Sequence, residues 1–181
     1  GVDLDEIHSS DIAVVEISSR QHVSGLEPST DYLTHIELYQ QFHDINGIVH
    51  THSMHATAWA QASKIIPCLG TTHADYWKCD IPVTRELSEG EVIANYEVNT
   101  GKAIIEVIKD PRICPGVLVA NHGPFSWGSS IEDAVMHAEI LEYIAQLASW
   151  TLMNNSSPSN ISKFLHNKHF FRKHGPDAYY G

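Results

Sequence analysis

Strand-like and helix-like segments alternate along the chain, and that alternation predicts an α/β fold with a central sheet flanked by helices. Two further observations make it one domain. The length, 181 residues, suits a single core, and 43% hydrophobic residues fill one while excluding a disordered chain. No internal repeat or low-complexity tract divides the sequence, and its one linker-like stretch is the polar run 154–160, expected to join a C-terminal helix and tail to the rest.

The elements follow in order. The β-branched run 11–18 reads as a strand, with Ser18-Ser19-Arg20-Gln21 as a hairpin turn into His22-Val23-Ser24. Pro28-Ser29-Thr30-Asp31 opens a helix, one of its last three residues being the cap, and Asn46-Gly47 stops it. Ile48-Val49-His50-Thr51-His52 is a strand, and the Ala-rich stretch 56–62 a helix. Residues 69–72 suggest a short strand. Ser88 and Glu91 form a capping box that opens a helix continuing past Gly101. Strands are expected at 116–120 and 124–127. Ser129-Ser130 then caps a long helix to about Met153, whose apolar stripe runs through Ala134, Ala138, Leu141, Ile144, Ala145 and Ala148. A short basic helix, 161–174, closes the chain before the tail.

Charge and composition exclude some functions. Lys and Arg total 11 against 22 Asp and Glu, a net charge of −11. A nucleic-acid surface or a dock for anionic lipid needs clustered cations, so neither partner is expected. Apolar runs such as Gly116-Val117-Leu118-Val119-Ala120 are far shorter than the ~18 residues of a membrane span. Three scattered cysteines without a C-x-x-C pair point to a reducing compartment, the cytoplasm. Thirteen histidines, by contrast, direct attention to metal binding and proton transfer.

His50 and His52 lie two apart on an expected strand, so period-two alternation aims both imidazoles to one side, about 7 Å apart. The plainer alternative is a pair of exposed histidines on an edge strand. His122 follows the buried strand and precedes Gly123, which permits a sharp turn. Three histidines with an open position are the ligand count of a catalytic zinc site. Asp31 is a fourth ligand, a base beside the metal, or simply a helix cap. Thr71-Thr72-His73-Ala74-Asp75-Tyr76 places a carboxylate and an imidazole in one expected loop, suited to proton transfer or merely to solvation. His166, Lys168, His169, Arg172, Lys173 and His174 form a basic cluster that either binds a phosphate or is a solvated helix face.

Taken together these stretches resemble the class II aldolase/epimerase family, the zinc-dependent sugar-phosphate aldolases and their relatives. The resemblance runs in order through Pro28-Ser29-Thr30-Asp31 with Thr34-His35, Gly47-Ile48-Val49-His50-Thr51-His52-Ser53, Gly70-Thr71-Thr72-His73-Ala74-Asp75-Tyr76, His122-Gly123-Pro124-Phe125 with Trp127-Gly128, and Lys168-His169-Phe170-Phe171-Arg172-Lys173-His174-Gly175 with Ala178-Tyr179-Tyr180-Gly181. It implies a class II aldolase-like fold spanning 1–181. His50, His52 and His122 match the metal-binding histidines, for Zn²⁺ or another divalent ion, one per subunit. Asp31 matches the acidic metal-site residue, which is Asp in the epimerases and Glu in the aldolases. Asp75 and Tyr180 match the acid/base pair. Ser29 and Thr30 match a substrate-contacting Ser-Ser pair, so Thr30 departs mildly from the pattern. His169 and Arg172 match groups near the substrate.

The Thr-Thr-His-Ala-Asp segment and the terminal Tyr-Tyr-Gly resemble the epimerase branch, which interconverts L-ribulose 5-phosphate and D-xylulose 5-phosphate by breaking and remaking the C3–C4 bond. The resemblance also implies a cyclic homotetramer with sites between subunits. The family opens with a helix, a Gly-Asn segment and a phosphate-holding Lys-Pro-Ser-Gly loop, of which only Gly1 has a counterpart here. The expected reading is a domain that lacks its N-terminal part, with Gly1 as a remnant substrate contact. Two rivals share the fold: an aldolase that releases the aldehyde fragment, and a non-catalytic interaction module of the adducin kind.

Overall fold

A computed structural model describes residues 4–179. Gly1 and Tyr180, expected at the substrate, lie outside the described residues. The framework is a three-stranded antiparallel sheet in the order β3-β5-β4, made of β3 (Gly47–His50), β4 (Gly116–Leu118) and β5 (Pro124–Gly128). A two-stranded hairpin, β1 (Val14–Val15) with β2 (His22–Ser24), stands apart from it. Six helices surround the sheet among the described residues: α1 (Tyr32–Gln41), α2 (Met54–Gln61), α3 (Thr71–Ala74), α4 (Glu89–Val107), α5 (Ile131–Asn154) and α6 (Lys163–Lys173). The interleaved α/β architecture is the expected one.

Apolar residues on β4 and β5 face the buried side of α5. Val117, Leu118, Phe125, Trp127 and Leu141 are fully enclosed, together with Leu38, Ile66, Trp77, Ile81 and Ile104. Burial on this scale, ~25 cal/mol per Å² of apolar surface, is the main force holding α5 on the sheet. Gly47 and Gly128 are paired across β3 and β5. A Cβ on Gly47 would meet the Ser130 carbonyl oxygen at 2.4 Å, and one on Gly128 would meet the Asp133 Cβ at 2.3 Å. Only glycine lets the first turn of α5 close on this end of the sheet.

The capping signals are realised. Ser88 Oγ accepts from the Glu91 N–H while the Glu91 carboxylate accepts from the Ser88 N–H. Ser130 caps α5 and Ser162 caps α6 through side-chain oxygens. α2 is capped from a distance: the Glu142 carboxylate on α5 accepts from the His55 and Ala56 N–H groups, both at 2.8 Å. A carboxylate there also meets the positive end of the helix dipole.

Three local expectations are corrected. The strand at 11–18 shrinks to Val14–Val15, because Ser9–Asp11 winds into a 3₁₀ turn and the hairpin closes early, with the Arg20 N–H donating to the Glu16 carbonyl. The short strand at 69–72 and the loop at 71–76 are instead one helical turn, α3, ending at Asp75. Burial of His73 and Ala74 on the inner side outweighs the weak helical preference of Thr71 and Thr72. The strand expected to carry His52 ends at His50. Its next partner on β5 would be Pro124, which has no N–H to continue the ladder. The run 154–160 is tied down at its far end, where the Ile161 N–H donates to the Cys68 carbonyl and Asn160 Nδ2 donates to Asp80.

His73 is 3% exposed, and its Nε2–H donates to the Cys79 carbonyl at 2.9 Å. Burial pushes its pKa down to about 4. Below pH 6.5 an unfolded chain takes up a proton that the folded chain refuses, so stability is full above 6.5 and falls as the pH drops toward 4. Urea unfolding at a series of pH values is expected to lose about 3 kcal/mol over this window from His73 alone. A His73→Gln variant is expected to show a shallower acid limb.

Candidate metal centre

The three histidines converge by different routes. His50 is the last residue of β3, paired with Phe125 on β5. His52 follows in the short extended link before α2. His122 sits at the tip of the β4–β5 turn, where Asn121 adopts φ +61°, a left-handed conformation that Asn tolerates better than most residues. The His122 N–H donates to the Val119 carbonyl and the Val119 N–H to the Gly123 carbonyl, which tightens the turn. A Cβ on Gly123 would clash with the Thr51 carbonyl oxygen at 2.8 Å, with the His52 and His50 rings in contact at 3.4 and 3.5 Å. The cradle therefore requires glycine after His122.

One nitrogen from each imidazole lies within 4.8 Å of the other two. Ring centroids are 4.7–4.9 Å apart, and His50 Nε2 and His52 Nε2 are separated by 3.1 Å. His50 Nδ1–H donates to the Pro124 carbonyl at 2.9 Å, which leaves its Nε2 lone pair facing His52. Phe125 stacks on the His50 ring, with centroids 4.1 Å apart. Burial lowers the pKa of His50, and burial with the neighbouring His50 lowers that of His122, so both are neutral near pH 7. Two imidazole lone pairs aimed at each other at 3.1 Å repel unless a proton or a cation lies between them. The three-imidazole donor set and its shared focus fit one divalent ion with an open coordination position.

Asp31 precedes α1 but makes no side-chain cap bond. Its charge is near enough to act on His35, His50, His122 and Tyr96. A cavity of about 670 Å³ opens beside it, lined by Ser29, Asp31, His35, Tyr39 and His50 and by Val15 of β1. Ser29 borders this space. Thr30 lies in the turn, its carbonyl accepting from the Leu33 N–H.

Asp75, His169 and Arg172 form a separate cluster. The Asp75 carboxylate accepts from His169 Nδ1 at 3.0 Å, Arg172 Nε at 3.0 Å and Arg172 Nη2 at 2.8 Å. Among the described residues it bonds to none of the three central histidines. Burial raises the Asp75 carboxyl, but the bonds from Arg172 and His169 outweigh that and hold it below the usual range. His174 Nε2–H donates to the Asp75 carbonyl at 2.8 Å, and Lys173 Nζ donates to Tyr76 OH at 3.0 Å. α6 is therefore not a free solvated face: it docks on α3 through these bonds.

Sequence reasoning missed three contributors. Tyr96 OH contacts His122 Nδ1 at 3.2 Å, His35 borders the cavity, and Glu142 caps the helix that follows His52. A histidine beside the Thr34 position is visible in the sequence, but nothing in local pattern couples Tyr96 to His122.

The family described as Class II Aldolase and Adducin N-terminal domain matches residues 1–149. An L-fuculose 1-phosphate aldolase is 26% identical with a TM-score of 0.77, over 95% of this chain and 76% of that one. An aldolase II superfamily protein from Pseudomonas syringae is 20% identical with a TM-score of 0.69, over 97% and 68%. The L-fuculose-1-phosphate aldolase from Thermus thermophilus is 20% identical with a TM-score of 0.64, over 87% and 78%. The last two show likeness of fold.

Metal analysis after dialysis is expected to find one equivalent of divalent ion per chain. His50→Ala or His122→Ala is expected to reduce it to near zero while circular dichroism stays unchanged.

Proposed function

Since this chain belongs to the class II aldolase and adducin N-terminal domain family, we propose that it is a divalent-metal-dependent epimerase interconverting L-ribulose 5-phosphate and D-xylulose 5-phosphate. The observation that carries the reading is the convergence of His50, His52 and His122 on one point. A bound divalent cation, Zn²⁺ being well matched to three imidazoles, supplies Lewis-acid stabilisation of the negative charge that develops when the sugar is cleaved.

This chain's own residues do the rest. Asp31 holds negative charge beside the histidines and, with Ser29 and Thr30, orients the sugar hydroxyls. Asp75 and Tyr180 are the acid/base pair. The C4 hydrogen of a ketopentose phosphate is not acidic, so inversion proceeds by C3–C4 cleavage. One of the pair removes the C4 hydroxyl proton, the C3–C4 electrons pass to an enediolate, and glycolaldehyde phosphate is released within the site. The aldehyde turns its other face, the bond reforms, and the other residue returns a proton to the C4 oxygen. Asp75 is ionised at neutral pH and so begins as the base for one epimer. Arg172 and His169 hold that carboxylate in place and add positive charge for an anionic substrate.

Among the described residues, the Asp75 carboxylate bonds to His169 and Arg172 and to none of His50, His52 and His122 of its own chain. The reading therefore includes a homotetramer in which Asp75, His169, Arg172 and Tyr180 serve the metal centre of an adjoining subunit. Three free thiols, Cys68, Cys79 and Cys114, favour a reducing compartment such as the cytoplasm.

A second reading is an aldolase, favoured by the L-fuculose 1-phosphate aldolase that is 26% identical to this chain. Asp rather than Glu at position 31, and the Tyr180 tail, support the epimerase. The complete protein loaded with Zn²⁺ is expected to convert L-ribulose 5-phosphate to D-xylulose 5-phosphate. Accumulating glycolaldehyde phosphate favours the aldolase, and a folded protein that takes up no metal favours the adducin-like module. Tyr180→Phe is expected to lower kcat by about 10²-fold or more with metal content intact.

A further inference from the structure

α4 is not one continuous helix. Asn95 leaves helical geometry at φ −155° and ψ 75°, and a second helical stretch begins beyond this kink. One side chain bridges the break, Asn99 Nδ2 donating to the Glu91 carbonyl at 2.9 Å, while Thr100 Oγ1 donates to the Tyr96 carbonyl at 2.9 Å within the second stretch. Tyr96 is the first residue after the break. Its hydroxyl lies 3.2 Å from His122 Nδ1, with ring centroids 6.0 Å apart.

We propose that Tyr96 is a positioning residue for the metal centre: its oxygen accepts the His122 Nδ1–H and so presents Nε2 to the cation. The inference rests on the metal-dependent reading above. An imidazole that ligates through one nitrogen carries its proton on the other, and a partner for that proton selects the tautomer and fixes the ring. His50 obtains its partner from the main chain, the Pro124 carbonyl, which no substitution at that position removes. His122 obtains its partner from the Tyr96 side chain. Among the imidazole anchors of this centre, the Tyr96 oxygen is therefore one that a single-atom deletion can test.

Tyr96→Phe keeps the ring and removes the oxygen. With Zn²⁺ alone as the probe, in competition with a chromogenic chelator, its Kd is expected to rise about 10- to 100-fold. The visible absorption of the Co²⁺-substituted protein is expected to shift, while the melting temperature of the metal-free protein stays near that of wild type. An unchanged Kd and an unchanged Co²⁺ spectrum overturn the inference, as does a loss confined to metal-free stability, which marks Tyr96 as packing only. A measurement on the metal-free wild type covers the case in which the variant misfolds: imidazole ¹⁵N NMR is expected to show His122 protonated at Nδ1, and protonation at Nε2 overturns the proposal. Wild-type protein that takes up no cation overturns both this inference and the metal-dependent reading. Uptake by wild type with an unaffected Tyr96→Phe overturns this one alone.

Discussion

The antiparallel pairing of β3 with β5 is the constraint on which the site depends. Its register sets His50 opposite Phe125, three residues beyond His122. That single alignment brings the end of one strand beside the turn that precedes the other. It also places the Pro124 carbonyl within reach of His50 Nδ1 and Phe125 under the His50 ring. A slip of one residue would turn these side chains to the opposite face and disperse the imidazoles. The glycines at the other end of the pair, Gly47 and Gly128, admit α5, whose packing secures the register.

Proline at position 124 connects fold to site. It terminates the ladder, and so frees residues 51–53 to turn toward α2 instead of continuing as strand. His52 thereby reaches the cluster from a link rather than from a strand face. The link is held at its far end by the Glu142 carboxylate, which binds the first turn of α2 from α5. A residue far along the chain from His52 thus takes part in holding the peptide that carries it.

Electrostatics divide the chain into two local environments against an acidic background. Around His50 and His122, burial removes protons and leaves lone pairs facing inward. Around Asp75, a guanidinium and an imidazole hold one carboxylate ionised despite its burial. The net charge of −11 therefore describes the outer surface and says little about either cluster. α6 depends on the second cluster for its docking, which is why its basic residues are largely engaged rather than solvated.

Residue chemistry and chain-local signals were legible in advance: the helix caps at Ser88 and Ser130, the hairpin into His22, the long apolar stripe of α5, and the His50-Thr51-His52 and His122 motifs. Each depends on neighbours within a turn or two, so a linear reading reaches it. Tertiary structure decided the rest. It ended β3 at His50, wound 71–74 into a helical turn, withheld Asp31 from capping, paired Asp75 with α6, and set Tyr96 against His122 through a break at Asn95. These outcomes balance weak local preferences of a fraction of a kcal/mol per residue against burial and hydrogen bonds to groups dozens of residues away, and only the folded chain brings those groups together.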